Sequence, residues 1–310
     1  MSRAVTPRVS VIIPTYRRPA LLAQCLTSLA GQDAAAGSFE AVVVDDGSGD
    51  ETPQVLQQHE QRLSLSWCSQ ASNRGPAAAR NKAVALARGD LLLFIDDDVV
   101  ASPSLVTTHL RLHESTTDTE GVLGYVDWLP SLDVTPFMRW LDTTTFQFAY
   151  HELTPGRLPH PADAFYTCNL SMRRRIFEDV GGFDERFPYP AYEDTELACR
   201  LAEKGFTLEY RPEALGWHAR AITLREFERR MSRVAESAVL WQQHEPDLTI
   251  SVEGLAGAAR PWWRHALLRL LSPLPVRVAG RDLRSNYYWS VIGRGYARGL
   301  ARAAERQAVA

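Results

Sequence analysis

The strongest constraint on the fold lies in the first hundred residues, where short apolar runs alternate with helical patterns and each run ends on polar side chains. Val9-Ser10-Val11-Ile12-Ile13, closed by Pro14, predicts a buried strand. Residues 19–31 carry Pro19 near the start, Leu21, Leu22, Cys25, Leu26 and Leu29 at helical spacing, and Gly31 at the end, which predicts a helix. Phe39 to Val44 predicts a second strand, and Ser48 to Thr52 opens a helix running to about residue 60. Leu63 to Cys68 is a short strand, Ala77 to Ala87 a helix stopped by Gly89, and Leu91 to Ile95 a further strand. Such alternation implies an α/β fold with a doubly wound, mostly parallel sheet flanked by helices. Sheets of this kind bind ligands at the carboxyl ends of their strands. Thr15-Tyr16, Asp45-Asp46 and Asp96-Asp97-Asp98 stand at three of those ends. One such cluster reads as well as a turn or a helix cap; three in succession point to a shared site.

Asp96-Asp97-Asp98 follows the most apolar run in the chain. Adjacent carboxylates repel one another, and each buried one needs a counter-charge. A divalent cation supplies it, and hard oxygen donors suit Mg²⁺ or Mn²⁺. The bland alternative is a solvated acidic turn. With a net charge of -3, the chain offers no electrostatic case for nucleic acid as a partner. Four scattered cysteines without CxxC spacing argue against a zinc site or a disulfide framework and fit a reducing compartment. No apolar run has the length of a membrane span or a secretory signal, so the expectation is a cytoplasmic enzyme.

These segments, together with Asn73-Arg74-Gly75 and Ala79-Arg80-Asn81, resemble the ordered motifs of glycosyltransferase family 2 over roughly residues 8 to 245. The resemblance implies a GT-A fold with a mixed sheet, a nucleotide-diphosphate sugar donor, a divalent cation and inversion at the anomeric carbon. By position, Pro14, Thr15 and Tyr16 match residues flanking the nucleobase. Asp46, with Asp45 beside it, matches the acid that accepts a hydrogen bond from the base, which suits a uracil or thymine. Arg80 matches a basic residue near the donor, Asp98 the metal ligand, and either Asp96 or Asp97 the ribose contact.

In the second half, Thr167 to Arg174, Gly181 to Glu185 and Tyr192 to Glu196 are similar to the family's acceptor segment. There Asp194 matches the general base, with Glu193, Asn169 and Trp217 as candidates for sugar contacts, Asn169 reading also as a residue that simply satisfies a loop. Without the resemblance, Glu193, Asp194 and Glu196 read as acids complementing a helix start. His218 reads either as a packed histidine or, by the resemblance, as a second metal ligand beside Asp98. Asp184 reads as a turn residue. A sugar-phosphate nucleotidyltransferase is a rival class, but Pro14 to Arg18 has no glycine for a triphosphate loop. A non-catalytic sugar-binding relative is a second rival, and retention of Asp194 and the acidic cluster weighs against it.

The stretch 115–165 is proline-rich and predicts a long binding loop. The reading places a catalytic domain at 1–245, split near 115 into donor and acceptor halves, and a helical extension at 246–310. Arginines recur from residue 260 onward among Trp262, Trp263, Tyr287, Tyr288 and Trp289. They suit a helix packed on the catalytic domain or in a homodimer, or one lying on an anionic membrane at the inner face.

Overall fold

In the computed structural model, which describes residues 6–244, 261–273, 277–278 and 281–309, the four apolar runs become adjacent strands. β1 (Val9–Thr15), β2 (Phe39–Asp45), β3 (Leu65–Ser69) and β4 (Leu91–Ile95) are parallel in the order β3-β2-β1-β4. They are joined by α1 (Pro19–Ala30), α2 (Thr52–His59) and α3 (Pro76–Leu86). Each of these helices has proline in its first turn, where a missing N–H leaves nothing unsatisfied.

The chain continues through β5 (Val99–Ala101), α4 (Leu105–Leu112), β6 (Glu120–Trp128), α5 (Pro136–Leu141), β7 (Gly156–Arg157) and β8 (Asn169–Arg173). Then come α6 (Arg174–Asp179), α7 (Glu193–Glu203), β9 (Thr207–His218) and α8 (Leu224–His244). Beyond residue 260 stand α9 (Trp262–Leu271), the β10–β11 ribbon (Arg277–Val278 and Arg281–Asp282) and α10 (Leu283–Val309). The large sheet runs β3-β2-β1-β4-β8-β6-β9-β5, with β7 on β9. Its pairings turn antiparallel at β4–β8, and only β6–β9 is parallel beyond that point. The sheet is therefore mixed, parallel in its N-terminal half and largely antiparallel in the rest.

Strand alternation sorts the core into two layers. Ile12, Val42, Val44, Leu92 and Phe94 face α3, α6 and α7, packing on Ala79, Ala83, Phe177, Leu197 and Leu201. Val11, Ile13, Val43, Leu93 and Ile95 face the other way, onto Leu22, Leu26 and Leu29 of α1, Leu56 of α2 and Leu105 of α4. Each such fully buried side chain contributes on the order of 1.5–3 kcal/mol. Because every residue of β4 is buried, the carboxylates that follow it are held at a fixed height above a rigid sheet.

The proline-rich stretch 115–165 is less of a loop than its composition suggests. It contains β6, nine residues long, whose Val122 and Leu123 are fully buried. The apolar run there is only Val122-Leu123, too short to announce a strand between polar flanks.

Two compact units emerge. The first comprises 1–133, 148–188 and 193–220; the second comprises 134–147, 189–192 and 221–310. The C-terminal segment of the second unit thus starts at 221, whereas composition suggested a division at 245/246, and residues 246–260 of the expected extension lie outside the described residues. The cause is the packing of α8, whose Phe227, Met231, Ala235 and Ala238 join Tyr288, Ile292 and Tyr296 of α10 in one core. Gly299 makes this possible, since a Cβ there would fall 2.0 Å from the Ser232 carbonyl oxygen. Arginines of α10 then pair with α8 acids: Arg298 with Glu228 at 2.5 Å and Arg306 with Glu236 at 3.1 Å.

Candidate active site

The acidic cluster turns the chain from β4 into β5, with Val99 N–H donating to the Asp96 carbonyl. β5 pairs antiparallel with the end of β9 so that Val99 lies opposite His218. That register is why Asp98, 120 positions away in sequence, meets the imidazole: Asp98 Oδ1 lies 3.4 Å from His218 Nδ1. The backbone fixes the same approach, with Ala219 N–H donating to the Asp98 carbonyl. Phe148 stacks on the imidazole, its ring 5.4 Å away and nearly parallel.

The three aspartates have separate surroundings. Asp97 is buried, accepting from Thr15 Oγ1 at 2.7 Å and from Arg18 at 2.9 Å. Burial pushes its carboxyl up to about 6, against the pull of the Arg18 charge. Burial also pushes Asp98 up, but contact with His218 and the charges of Arg18 and Arg220 outweigh it and hold the carboxyl well below the usual range. Asp96 is the most exposed of the three and pairs with Arg80 at 3.1 Å.

Arg80 is the hub of the other half of the site. Its guanidinium is buried on the Phe183 ring and reaches Asp96, Glu193 at 3.0 Å and Asp194 at 3.5 Å. One cation therefore serves three carboxylates, one from the turn after β4 and two from the first turn of α7. Glu193 is buried, and that burial, with the Asp194 charge beside it, pushes its carboxyl up to about 8 despite Arg80. Asp194 opens α7, where the helix dipole favours its ionised form. Thr167 donates to Asp194 Oδ2 through its hydroxyl at 2.8 Å and its N–H at 3.3 Å. Asp194 Oδ1 has no hydrogen-bond partner among the described residues. Burial pushes the Asp194 carboxyl above its ordinary value, opposed by Arg80 and Thr167.

At the first two strand ends the carboxylates do structural work. Asp45 accepts from Ser48 N–H and from the Ser69 hydroxyl, which spends it on the turn after β2. Asp46 accepts from Gln70, Arg74 N–H and Gly75 N–H, pinning the loop before α3. Gly75 holds φ +92°, and a Cβ there would come 2.7 Å from the Pro188 carbonyl, so only glycine suits the position. A carboxylate offers about four acceptor directions, so Asp46 keeps one for a further donor. Thr15 lies buried beneath Asp97, Pro14 opposite Val44 in the sheet, and Tyr16 about a third exposed with Arg17 over its ring. Trp217 is partly buried on β9, between Val100 and Asp127 in register.

Asn169 is a correction. It is fully buried, its amide donating to the Tyr125 and Ala214 carbonyls while its oxygen meets His109. It stitches strands together and has no group left for a sugar. Asp184 is the turn residue it looked, accepting from Arg186 N–H. Four contributors were not singled out from sequence: Arg18, Thr167, Phe148 and Asn81. Asn81 holds the Gly-Gly-Phe-Asp-Glu loop by exchanging hydrogen bonds with Phe183.

The pair Asp98 and His218 fits a divalent cation. A carboxylate and an imidazole are donors for Mn²⁺ or Mg²⁺, and Asp98 Oδ1 and His218 Nε2 are buried without a hydrogen-bond partner among the described residues. No group of three or more His, Cys, Asp or Glu side chains is arranged to hold a metal among those residues, so the remaining ligands would be phosphate and water oxygens.

The chain is similar to known proteins throughout this region. A validoxylamine A glucosyltransferase from Streptomyces hygroscopicus subsp. jinggangensis is 34% identical over 69% of this chain and 56% of its own length. A pre-mycofactocin glycosyltransferase of Mycobacterium tuberculosis is 27% identical over 82% of this chain and 52% of its own length. The chain thus spans little more than half of these relatives. Among solved structures, a mannosyltransferase from Pyrobaculum calidifontis in complex with GDP-Man and Mn²⁺ superposes with a TM-score of 0.62 at 18% identity, over 97% of this chain and 88% of that one. Staphylococcus aureus TarS 1–349 in complex with UDP gives 0.57 at 19% identity, over 96% and 92%. Both share the GT-A fold. Residues 149–221 also match the description "N-terminal domain of galactosyltransferase". Residues 10–181 match "Glycosyl transferase family 2", and with the 34% identical relative this places the chain in glycosyltransferase family 2.

Proposed function

We propose that the protein is an inverting glycosyltransferase that moves a sugar from a nucleoside diphosphate onto an acceptor hydroxyl, with Mn²⁺ or Mg²⁺ as cofactor. The observation that carries the reading is the division of the strand-end site into two halves. Asp98 and His218 offer metal donors on one side, and on the other Asp194 offers a carboxylate oxygen that accepts no hydrogen bond among the described residues and lies 3.5 Å from the Arg80 guanidinium.

The cation, when bound, stabilises the negative charge of the leaving diphosphate. Asp98 and His218 would hold it, and Asp96 is the aspartate exposed enough to meet a ribose, since Asp97 is consumed by Thr15 and Arg18. The last acceptor direction of Asp46 suits a ring N–H of uracil or thymine, which favours UDP or dTDP as the carrier. Thr167 holds Asp194 through Oδ2, while Oδ1, 3.5 Å from the Arg80 guanidinium and accepting no hydrogen bond among the described residues, would take the proton of the attacking hydroxyl. Attack from the face opposite the diphosphate inverts the anomeric carbon. The raised carboxyl of Asp194 makes it a better base than a solvent-exposed aspartate.

Calorimetry across UDP, dTDP and GDP, with Mn²⁺ or with EDTA, tests the donor half on the native chain and on Asp98→Ala. Tight binding of one diphosphate that needs both the metal and Asp98 is the expected result. Folded protein that binds none of the three sinks the reading.

A further inference from the structure

The arginine-rich C-terminal region divides into two parts once its contacts are known. On α10, Arg294, Arg298, Arg302 and Arg306 are all committed to Glu228 and Glu236 of α8. They help hold the second unit together, and the two acids partly offset their charge. The ten residues of α9 differ: the helix contains no acidic residue, and its two arginines, Arg264 and Arg269, are exposed and make no ion pair among the described residues.

One face of α9 packs inward through His265, which is buried and meets the Ser290 hydroxyl at 3.1 Å. The opposite face is apolar and open. Trp263, Leu267 and Leu270 are 50%, 48% and 74% exposed. Their spacing of four and three residues aligns them on one stripe. At 100° per residue, Arg264 and Arg269 fall on the two flanks of that stripe, about 100° and 120° from Trp263. Arg264 also lies over the Trp263 ring, 5.0 Å from its centroid. Three large apolar side chains exposed together on one short helix cost solubility unless something covers them.

We propose that α9 is an interfacial helix that seats this unit on an anionic lipid bilayer, with Trp263, Leu267 and Leu270 entering the headgroup boundary and Arg264 and Arg269 meeting lipid phosphates. Charge complementarity selects this occupant. A two-fold contact with a second copy would bring the same arginine-flanked stripe against itself, with no acid on the helix to balance it. Three exposed side chains are also few against the roughly 20–30 residues a side of a stable dimer interface. A bilayer rich in anionic headgroups matches both the apolar stripe and its basic edges. This inference goes beyond the transfer reaction and stands independently of it.

Flotation of the full chain with phosphatidylglycerol-containing vesicles, and with vesicles of phosphatidylcholine alone, tests it. The chain should float with the anionic vesicles and much less with the neutral ones. Arg264→Glu with Arg269→Glu should weaken binding by about thirtyfold, and Leu267→Ser with Leu270→Ser by a similar factor. All four positions are exposed, so both variants should keep the native melting temperature. Failure of the folded native chain to float with anionic vesicles overturns the proposal, as does flotation unchanged in either variant. A concentration-dependent dimer in sedimentation velocity that Leu270→Ser abolishes would assign the stripe to a second copy instead.

Discussion

Arg18 donates to Asp97 at 2.9 Å, and the same nitrogen lies 3.4 Å from Asp98, so one guanidinium sits against two members of the acidic cluster. A divalent cation at Asp98 would share that carboxylate with Arg18. Arg18 should therefore weaken metal binding before nucleotide arrives. Arg18→Gln is expected to bind Mn²⁺ about two- to fivefold more tightly without nucleotide, the range of a partly exposed ion pair. Electron paramagnetic resonance of free Mn²⁺ across a titration measures this directly. Equal or weaker binding in the variant would show that Arg18 does not compete.

Asp194→Asn keeps the size of the side chain and its acceptor for Thr167, but it removes the base. Turnover should fall by about 10² to 10⁴, while the affinity for the nucleoside diphosphate stays within a few-fold. The pH profile supplies a second readout. Because burial holds the Asp194 carboxyl above its ordinary value, the group is protonated and inactive at low pH. Log kcat/KM should thus climb with pH through a value above the usual aspartate range, and that limb should vanish in Asp194→Asn. An unchanged limb in the variant would assign it to another group.

Removing the hub is a different kind of change. Arg80→Met leaves Asp96, Glu193 and Asp194 facing one another without their buried cation, and the cost expected for breaking such a pair is about 3–5 kcal/mol. Adding Glu193→Gln removes one of the stranded acids and should recover part of that loss, most clearly above about pH 8, where Glu193 would otherwise ionise. Urea unfolding of native, single and double variants tests the coupling, and additive effects would contradict it.

The parallel half of the sheet and the strand-end positions of the acids were legible because local patterning alone specifies them. Ile12, Val42 and Phe94 announce buried strands, and Pro19, Pro76 and Gly31 punctuate helices, without reference to anything distant in sequence. The meeting of Asp98 and His218 is different in kind. It depends on the pairing of the three-residue β5 with the end of β9, and a three-residue strand carries no readable period. The resemblance supplied that pair, since spacing alone could not. Asn169 misled for a related reason: a polar residue before a strand looks available, and only the β8–β6–β9 neighbourhood shows its amide to be filled by Tyr125, Ala214 and His109. Phe148 was hidden because its role is to stack on His218, a contact across seventy residues of chain.

The same neighbourhood makes the fold sensitive to acid. His109 and His113 are buried and share the Ser171 hydroxyl, each at 2.8 Å, with His109 also bound to Asn169. Burial lowers His109 to about 4 and His113 to about 3, from an ordinary value of 6.5. In both, the folded state favours the neutral ring. Their contribution is therefore fully present above pH 6.5 and is lost as pH falls toward the folded values, because the unfolded chain takes up the protons first. Each ring should account for up to about 1.4 kcal/mol of lost stability per pH unit in that window. His109→Gln retains hydrogen-bonding groups and removes one titration, so its stability should fall less steeply between neutral pH and about pH 5. Urea unfolding at a series of pH values measures both slopes. Parallel slopes in the native chain and the variant would mean that His109 is not held neutral by burial, and that acid acts on the fold through its carboxylates instead.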